Sequence, residues 1–234
     1  MKKNIVLKIG GSTLYDKDLN INIDILSKVK KWYIDANEVY DRIVLVVGGG
    51  RLSRYIQEKL GDHINDEKYR HQIGMSVTQI SANILSGYLD DREIYIPRKL
   101  GDAYEYLNDE ERVRMVSGGL KSGWSTDMDA MVYADILHMD RVFKISNVEY
   151  IYTTDPKEDP LAKPILDISW DEYFKMFGIT ESTVHVANSN IPIDSSCANF
   201  ARKKGISMHI TGGKRINTKQ ELEDLLQNGT YIHP

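Results

Sequence analysis

Apolar positions in this chain fall into two alternating patterns: short unbroken runs and longer stretches with helical spacing. Ile5-Val6-Leu7-Lys8-Ile9 and Ile43-Val44-Leu45-Val46-Val47 are nearly continuous apolar runs, each followed by glycines. That is the pattern of strands buried on both faces. Ile94–Ile96, Arg112–Val116, Arg141–Ile145 and Ser207–Ile210 read as further strands. Helical spacing predicts a helix from about Ile21 to Tyr33, with Ile23, Leu26, Val29 and Ile34 near one side. Others follow over Leu52–Leu60, Asp66–Leu89 (Ile73, Val77, Ile80, Ile84 and Leu85 on one side), Thr126–Leu137, Ser169–Phe177 and Asp194–Lys204. Prolines and acids make Thr153 to Pro160 a loop. Strands alternating with helices predict an α/β fold, a mostly parallel sheet covered by helices on both faces. No internal repeat or low-complexity linker interrupts it, so residues 1–234 are expected to form one domain.

Composition narrows the function classes. With 41% hydrophobic and 27% charged residues the chain is ordinary for a soluble globular protein. A net charge of −4 gives no reason to expect nucleic acid as a partner. The single cysteine, Cys197, excludes an internal disulfide and fits a reducing compartment. The apolar run after Met1-Lys2-Lys3 is too short for a signal peptide or a membrane span. A soluble, cytoplasmic protein without a membrane partner is the expectation. The six histidines show no ligand spacing, His63 and His71 included, and no metal site is expected from side chains alone.

Three glycine-containing stretches occur where strand patterns meet helix starts: Lys8-Ile9-Gly10-Gly11-Ser12, Val47-Gly48-Gly49-Gly50-Arg51 and Gly123-Trp124-Ser125-Thr126-Asp127. Glycine lets backbone N–H groups approach phosphate oxygens, and a helix start attracts anions. Lys8 is the one charge inside its strand; it reads either as a lysine snorkelling from an edge strand or as a fixed cation for a phosphoryl group. Arg51 and Arg54 oppose the dipole of the helix they begin, which hints that one of them serves an anion. Thr126 or Ser125 can cap the third stretch's helix, and Asp127 either suits that helix's dipole or holds Lys8 by an ion pair. The spacings are neither a Walker A loop nor a Rossmann fingerprint.

The ordered motifs KIGGS, VVGGGRLSR, GWSTDMDA, SNVEYIYTTDPKEDPLAK and the closing NGTYIHP resemble the amino acid kinase fold family over nearly the whole chain. Within that family the resemblance is to UMP kinases of the prokaryotic type. It implies a three-layer αβα sandwich, with an acceptor-binding N-terminal half and an ATP-binding C-terminal half. It implies ATP and UMP as substrates, Mg²⁺ with the ATP, and a homo-oligomer, a dimer-based hexamer with the early helices at the dimer contact. Residue by residue, it places Lys8 at the transferring phosphoryl group with Arg54 and Asp127 as its catalytic companions. Gly10, Gly11 and Ser12 then surround the ATP phosphates, and Lys144 and Ser146 lead into the ATP site. Tyr152, Asp155 and Pro156 border the adenine and its ribose. Gly48, Gly49, Gly50 and Arg54 hold the acceptor phosphate, Gly118 and Gly119 lie near the acceptor nucleoside, and Thr126, also on the acceptor side, touches phosphate. Asp194 matches an acidic position after a variable loop.

Two positions depart from the family pattern. His71 stands where an aspartate usually accepts hydrogen bonds from the acceptor ribose, with Gly74 and Thr78 still in register. Glu149-Tyr150 replaces a common Asp-Gly pair. The alternatives that remain are a kinase of this fold for another small phosphate or carboxylate, and a non-catalytic storage or binding protein built on it.

Overall fold

The computed structural model describes residues 3–60, 63–156, 158–180, 191–213 and 228–234. Met1, Lys2 and Lys157, part of the patterns above, lie outside them. Among the described residues seven strands form one sheet, in the order β3-β2-β1-β4-β8-β9-β7. These are β1 (Asn4–Ile9), β2 (Arg42–Val47), β3 (Val113–Ser117), β4 (Arg141–Ser146), β7 (Asp167–Ser169), β8 (Ser207–Gly212) and β9 (Thr230–His233). All neighbours run parallel except β8 and β9. A small antiparallel pair, β5 (Ile151–Tyr152) and β6 (Pro164–Ile165), stands apart.

The unbroken apolar runs exist because side chains alternate between two buried faces. Ile5, Leu7, Ile9, Ile43, Leu45 and Val47 point into one core with α2 (Ile23–Val39) and α4 (Glu67–Leu89). Val6, Val44, Val46 and Val142 point into the other, with α5 (Leu100–Asp109), α6 (Thr126–Ile136), α7 (Trp170–Phe177) and α8 (Ser195–Lys204). The two cores make the helix–sheet–helix sandwich. A short α1 (Gly11–Leu14) and α3 (Gly50–Leu60) follow β1 and β2 directly.

Several elements differ from the sequence expectation. Ile94–Ile96 is not a strand; only Tyr95 bridges to Met115, because the segment lies against the sheet's edge at β3. Helix α5 carries too few apolar residues to announce itself, burying only Ala103 and Leu107. Helix α2 runs to Val39 and buries Ile25, Leu26, Val29, Trp32, Tyr33 and Ala36, while Ile23 and Ile34 are exposed. Ile80 of α4 is exposed too. The closing segment supplies β9, which pairs with both β8 and β7.

Candidate active site

Strand order decides where the chemistry collects. From β1 the chain steps outward to β2 and β3 on one side, while β4 and β8 lie on the other. In parallel sheets, ligands bind beyond the carboxyl ends of the strands at such a reversal. Gly10, Gly48, Gly118 and Asn147 directly follow β1, β2, β3 and β4.

Register then fixes two cations side by side. Lys8 of β1 pairs across the sheet with Lys144 of β4, and both share the face of Val6 and Val142, toward α6. Two ammonium groups on neighbouring strands repel unless an anion lies between them. Asp127, in the first turn of α6, is that anion. Its Oδ1 lies 3.0 Å from Lys8 Nζ and its Oδ2 2.6 Å from Lys144 Nζ. Lys144 also donates to the Pro192 carbonyl at 2.8 Å. All three side chains are buried, Lys8 at 6% and Lys144 at 4% exposure. Lys8 therefore sits in a central strand, not at an edge from which it could snorkel. Burial pushes the Asp127 carboxyl upward, but Lys144 and Lys8 outweigh it and hold the group at about 2. Burial pulls the Lys8 amine below its ordinary value, with Asp127 opposing and Lys144 assisting. Two cations on one carboxylate leave one surplus positive charge at the strand ends.

The three glycine stretches meet here. A Cβ added to Gly11 would collide with the backbone of Gly50 and Gly48. Gly50, at φ +53°, has Gly11 and Ser12 backbone where its own side chain would be, so only glycine satisfies both the left-handed conformation and the close approach. The Gly48 Cβ position lies 3.3 Å from Thr126 Oγ1, which brings in the third stretch. Gly10 donates its N–H to the Ile145 carbonyl at 2.8 Å, closing β1 onto β4. Ser125, not Thr126, caps α6, accepting the Met128 N–H at 3.1 Å and donating to Asp194 Oδ2. Asp194 in turn caps α8 by accepting the Cys197 N–H.

A cavity of about 250 Å³ opens beside this junction. Of the residues expected near the acceptor, Gly49, Gly50, Arg54, His71, Gly119 and Thr126 line it. Gly48 lies behind it against Gly11, and Gly118 packs tightly on the Thr78 backbone. Arg51 is exposed and is not among the cavity's lining residues. Tyr152, edge-on to Tyr150, belongs to β5, with Asp155 and Pro156 exposed in the loop beyond. Ser146 ends β4 in a buried position. Glu149 packs where a side chain on Gly212 would lie, so its turn is built around that glycine.

Gln57 and Met75, which no sequence pattern singles out, also line the cavity, as does Trp124 of the third glycine stretch; Asp129, equally unmarked by pattern, lies behind it. Asp129 is fully buried on α6. Burial pushes its carboxyl up to about 8, with the Leu120 amide pulling down and Asp127 adding to the rise. The helix start favours a charge by only about 0.3–1 kcal/mol, under one pH unit, and does not reverse this. The available signal was an acid flanked by Met128, Ala130 and Met131 in a helix with buried residues around it.

Among the described residues no group of three His, Cys, Asp or Glu could hold a metal ion. Nor is any described helix long and apolar enough to cross a membrane. The Cys197 thiol is buried, and burial pushes it well above its ordinary range.

Comparison with known proteins places this arrangement. The chain is 28% identical to a uridylate kinase from Pyrococcus abyssi over 231 residues, covering 98% of this chain and 99% of that one. A uridylate kinase from Thermococcus kodakarensis is 26% identical with the same coverage. The solved uridylate kinase of Archaeoglobus fulgidus superposes with a TM-score of 0.73 at 23% identity, over 99% of this chain and 100% of the other. The family model described as the amino acid kinase family matches residues 3–212. With the paired lysines, the carboxylate between them and the convergent glycine turns in place, the chain belongs to the amino acid kinase family.

Proposed function

We propose that this protein is an ATP-dependent UMP kinase, transferring the γ-phosphoryl group of ATP to UMP to give UDP and ADP. The observation that carries the reading is the buried Lys8–Asp127–Lys144 cluster at the strand ends where the three glycine stretches converge. The full-length likeness to relatives named uridylate kinase supports UMP as the acceptor.

Phosphoryl transfer asks little covalent work of a protein; it asks that two anions be held in line and their repulsion neutralised. In this reading Lys8 meets the transferring group, with Gly10, Gly11 and Ser12 around the ATP phosphates. Lys144 and Ser146 lead into the ATP side, and Tyr152, Asp155 and Pro156 border its nucleoside. Gly48, Gly49, Gly50 and Arg54 cradle the acceptor phosphate, Thr126 touches phosphate, and His71, Gly118 and Gly119 face or back the acceptor nucleoside. Asp127 touches both lysines and fixes them; a general base is not needed, because a phosphate oxygen is already a nucleophile. The one carboxylate between the lysines is fully engaged. Magnesium is therefore taken as arriving on the ATP phosphates, the usual mode for a cation that keeps much of its water shell. A reducing, cytoplasmic setting and a dimer-based homo-hexamer complete the reading. Exposed Ile23 and Ile34 on α2 supply apolar surface for the dimer contact.

One observation favours a second reading of the acceptor. His71 lines the cavity, and among the described residues no Asp or Glu does, so a ribose diol meets no described carboxylate there. A neutral imidazole accepts one hydrogen bond, not two. Another small phosphate acceptor of a same-fold kinase is the second reading. Both are tested by offering purified protein Mg²⁺-ATP with UMP, CMP, dUMP or isopentenyl phosphate and following ADP release. UMP turnover above the others supports the proposal. Preference for isopentenyl phosphate moves the protein to the second reading, and no turnover with any acceptor refutes catalysis.

A further inference from the structure

Asp129 is a buried acid that phosphoryl transfer does not use. Its Oδ2 lies 3.7 Å from the point where a side chain on Gly119 would begin, and Thr78 Oγ1 (3.4 Å) and Thr126 Cγ2 (3.7 Å) surround the same point. Gly119, Thr78 and Thr126 all line the cavity. Asp129 thus stands directly behind one wall of it. The carboxyl is closed to water, and neither oxygen has a well-formed hydrogen bond among the described residues; the Leu120 amide approaches it. A buried polar group with so few partners is costly to keep, and an apolar residue would cost less.

The turn in front of it is gripped from two sides. From α4, Thr78 Oγ1 accepts the Gly119 N–H at 2.7 Å, and Gln79 Nε2 donates to the Gly119 carbonyl at 3.3 Å. On the α6 side, the Tyr133 hydroxyl pairs with Ser117 Oγ at 2.8 Å, and Ser117 donates to the Gly118 carbonyl. Asp129 and Thr126 are further polar residues of α6 beside this turn, Thr126 through its methyl group.

We infer that Asp129 is a positioning residue for the acceptor site, holding the Gly118–Leu120 turn from behind so that Gly119 and Thr126 meet the acceptor in fixed places. The inference rests on reading the cavity as the acceptor site. Asp129 acts through Gly119, since its own oxygens are buried. It does so as a neutral acid, because ionisation would put an unpaired carboxylate into an apolar place beside a second one. The groups that act on it are burial, the Leu120 amide and the Asp127 charge; Tyr133 is its titratable neighbour. Lys8 of β1, Lys144 of β4 and Cys197 of α8 all act on one another or on Asp127. Thr78 and Gln79 of α4 carry no charge. Acceptor affinity therefore weakens as Asp129 ionises above about pH 8, while ATP affinity does not follow.

Two readouts test this. Amide hydrogen exchange in the ligand-free protein at pH 7 is compared between wild type, Asp129→Asn and Asp129→Ala. Exchange at Gly119 and Leu120 should be about tenfold faster in Asp129→Ala, with Asp129→Asn recovering most of the protection. Equal rates in wild type and Asp129→Ala overturn the inference whatever the acceptor is. Next, KM for UMP and for ATP is measured from pH 6.5 to 9.5. Wild type should show the UMP KM rising about three- to tenfold between pH 7.5 and 9, with the ATP KM flat. Asp129→Asn should lose that limb; because UMP titrates identically in both experiments, the difference belongs to Asp129. The same pH profile in both proteins overturns the inference, as does an Asp129→Ala variant that raises both KM values equally. Absence of UMP turnover by wild type refutes the acceptor assignment instead, and the exchange comparison still decides the role of Asp129.

Discussion

Replacing Asp127 with asparagine removes the negative charge between two buried lysines while keeping the side chain's size. The fall of its carboxyl from 3.8 to about 2 is worth about 2 kcal/mol of preference for the ionised form in the folded protein. Because the folded value is depressed, that stability is complete above about pH 4 and disappears as pH falls through about 2. The asparagine variant lacks it at neutral pH. It also leaves Lys8 and Lys144, cross-strand neighbours, facing each other without a counter-charge. Removing one partner of a buried ion pair typically costs about 3–5 kcal/mol, so the total is expected in that range. Urea unfolding at several pH values measures it. Burial already lowers the Lys8 amine, and loss of Asp127 lowers it further. A folded value below the unfolded one means that stability recovers as pH rises and a lysine sheds its proton. The penalty should therefore shrink from pH 6 to pH 9. A variant within about 1 kcal/mol of wild type, or a penalty independent of pH, would refute the claim that Asp127 holds the two lysines together.

Three further outcomes follow from the same geometry. Lys8→Ala should lower turnover about 10²-fold or more while Asp127 stays paired with Lys144; little change in kcat would return Lys8 to a purely structural role. Gly50→Ala puts a Cβ at φ +53° against the backbone of Gly11. It should cost more than about 2 kcal/mol in thermal or urea unfolding and raise the KM values for both substrates; a silent Gly50→Ala would mean the two glycine turns are not packed as described. His71→Asp supplies a carboxylate in the cavity and should raise the preference for UMP over dUMP by about 10- to 100-fold, read from kcat/KM ratios.

The central strands and the three glycine stretches are legible in the sequence because strands buried on both faces and glycine turns each leave a local pattern. What joins them is not local. Lys8 stands out in an apolar run, but its alignment with Lys144 depends on β1 and β4 being neighbours in register, and 136 positions separate these residues. Asp127 was readable as an ion-pair partner for Lys8, but not as a bridge between two lysines. The resemblance placed Lys144 on the ATP side without indicating that it shares a carboxylate with Lys8. Asp129 escaped notice because its significance lies in burial behind Gly119, which no spacing reveals. Helix α5 hides behind its charges, and of the apolar side expected on α2, Leu26 and Val29 are buried while Ile23 and Ile34, near the same spacing, face outward.

In the proposed reaction the cleft formed by Lys8, Asp127, Lys144 and the glycine turns passes a phosphoryl group from ATP to UMP. The most direct test of this transfer uses ATP labelled in the γ-phosphoryl group, incubated with Mg²⁺, UMP and the wild-type protein, with the nucleotides then separated. The label should appear in the β-position of UDP, in proportion to the ADP formed. Label found only in inorganic phosphate, or left in ATP, would contradict it.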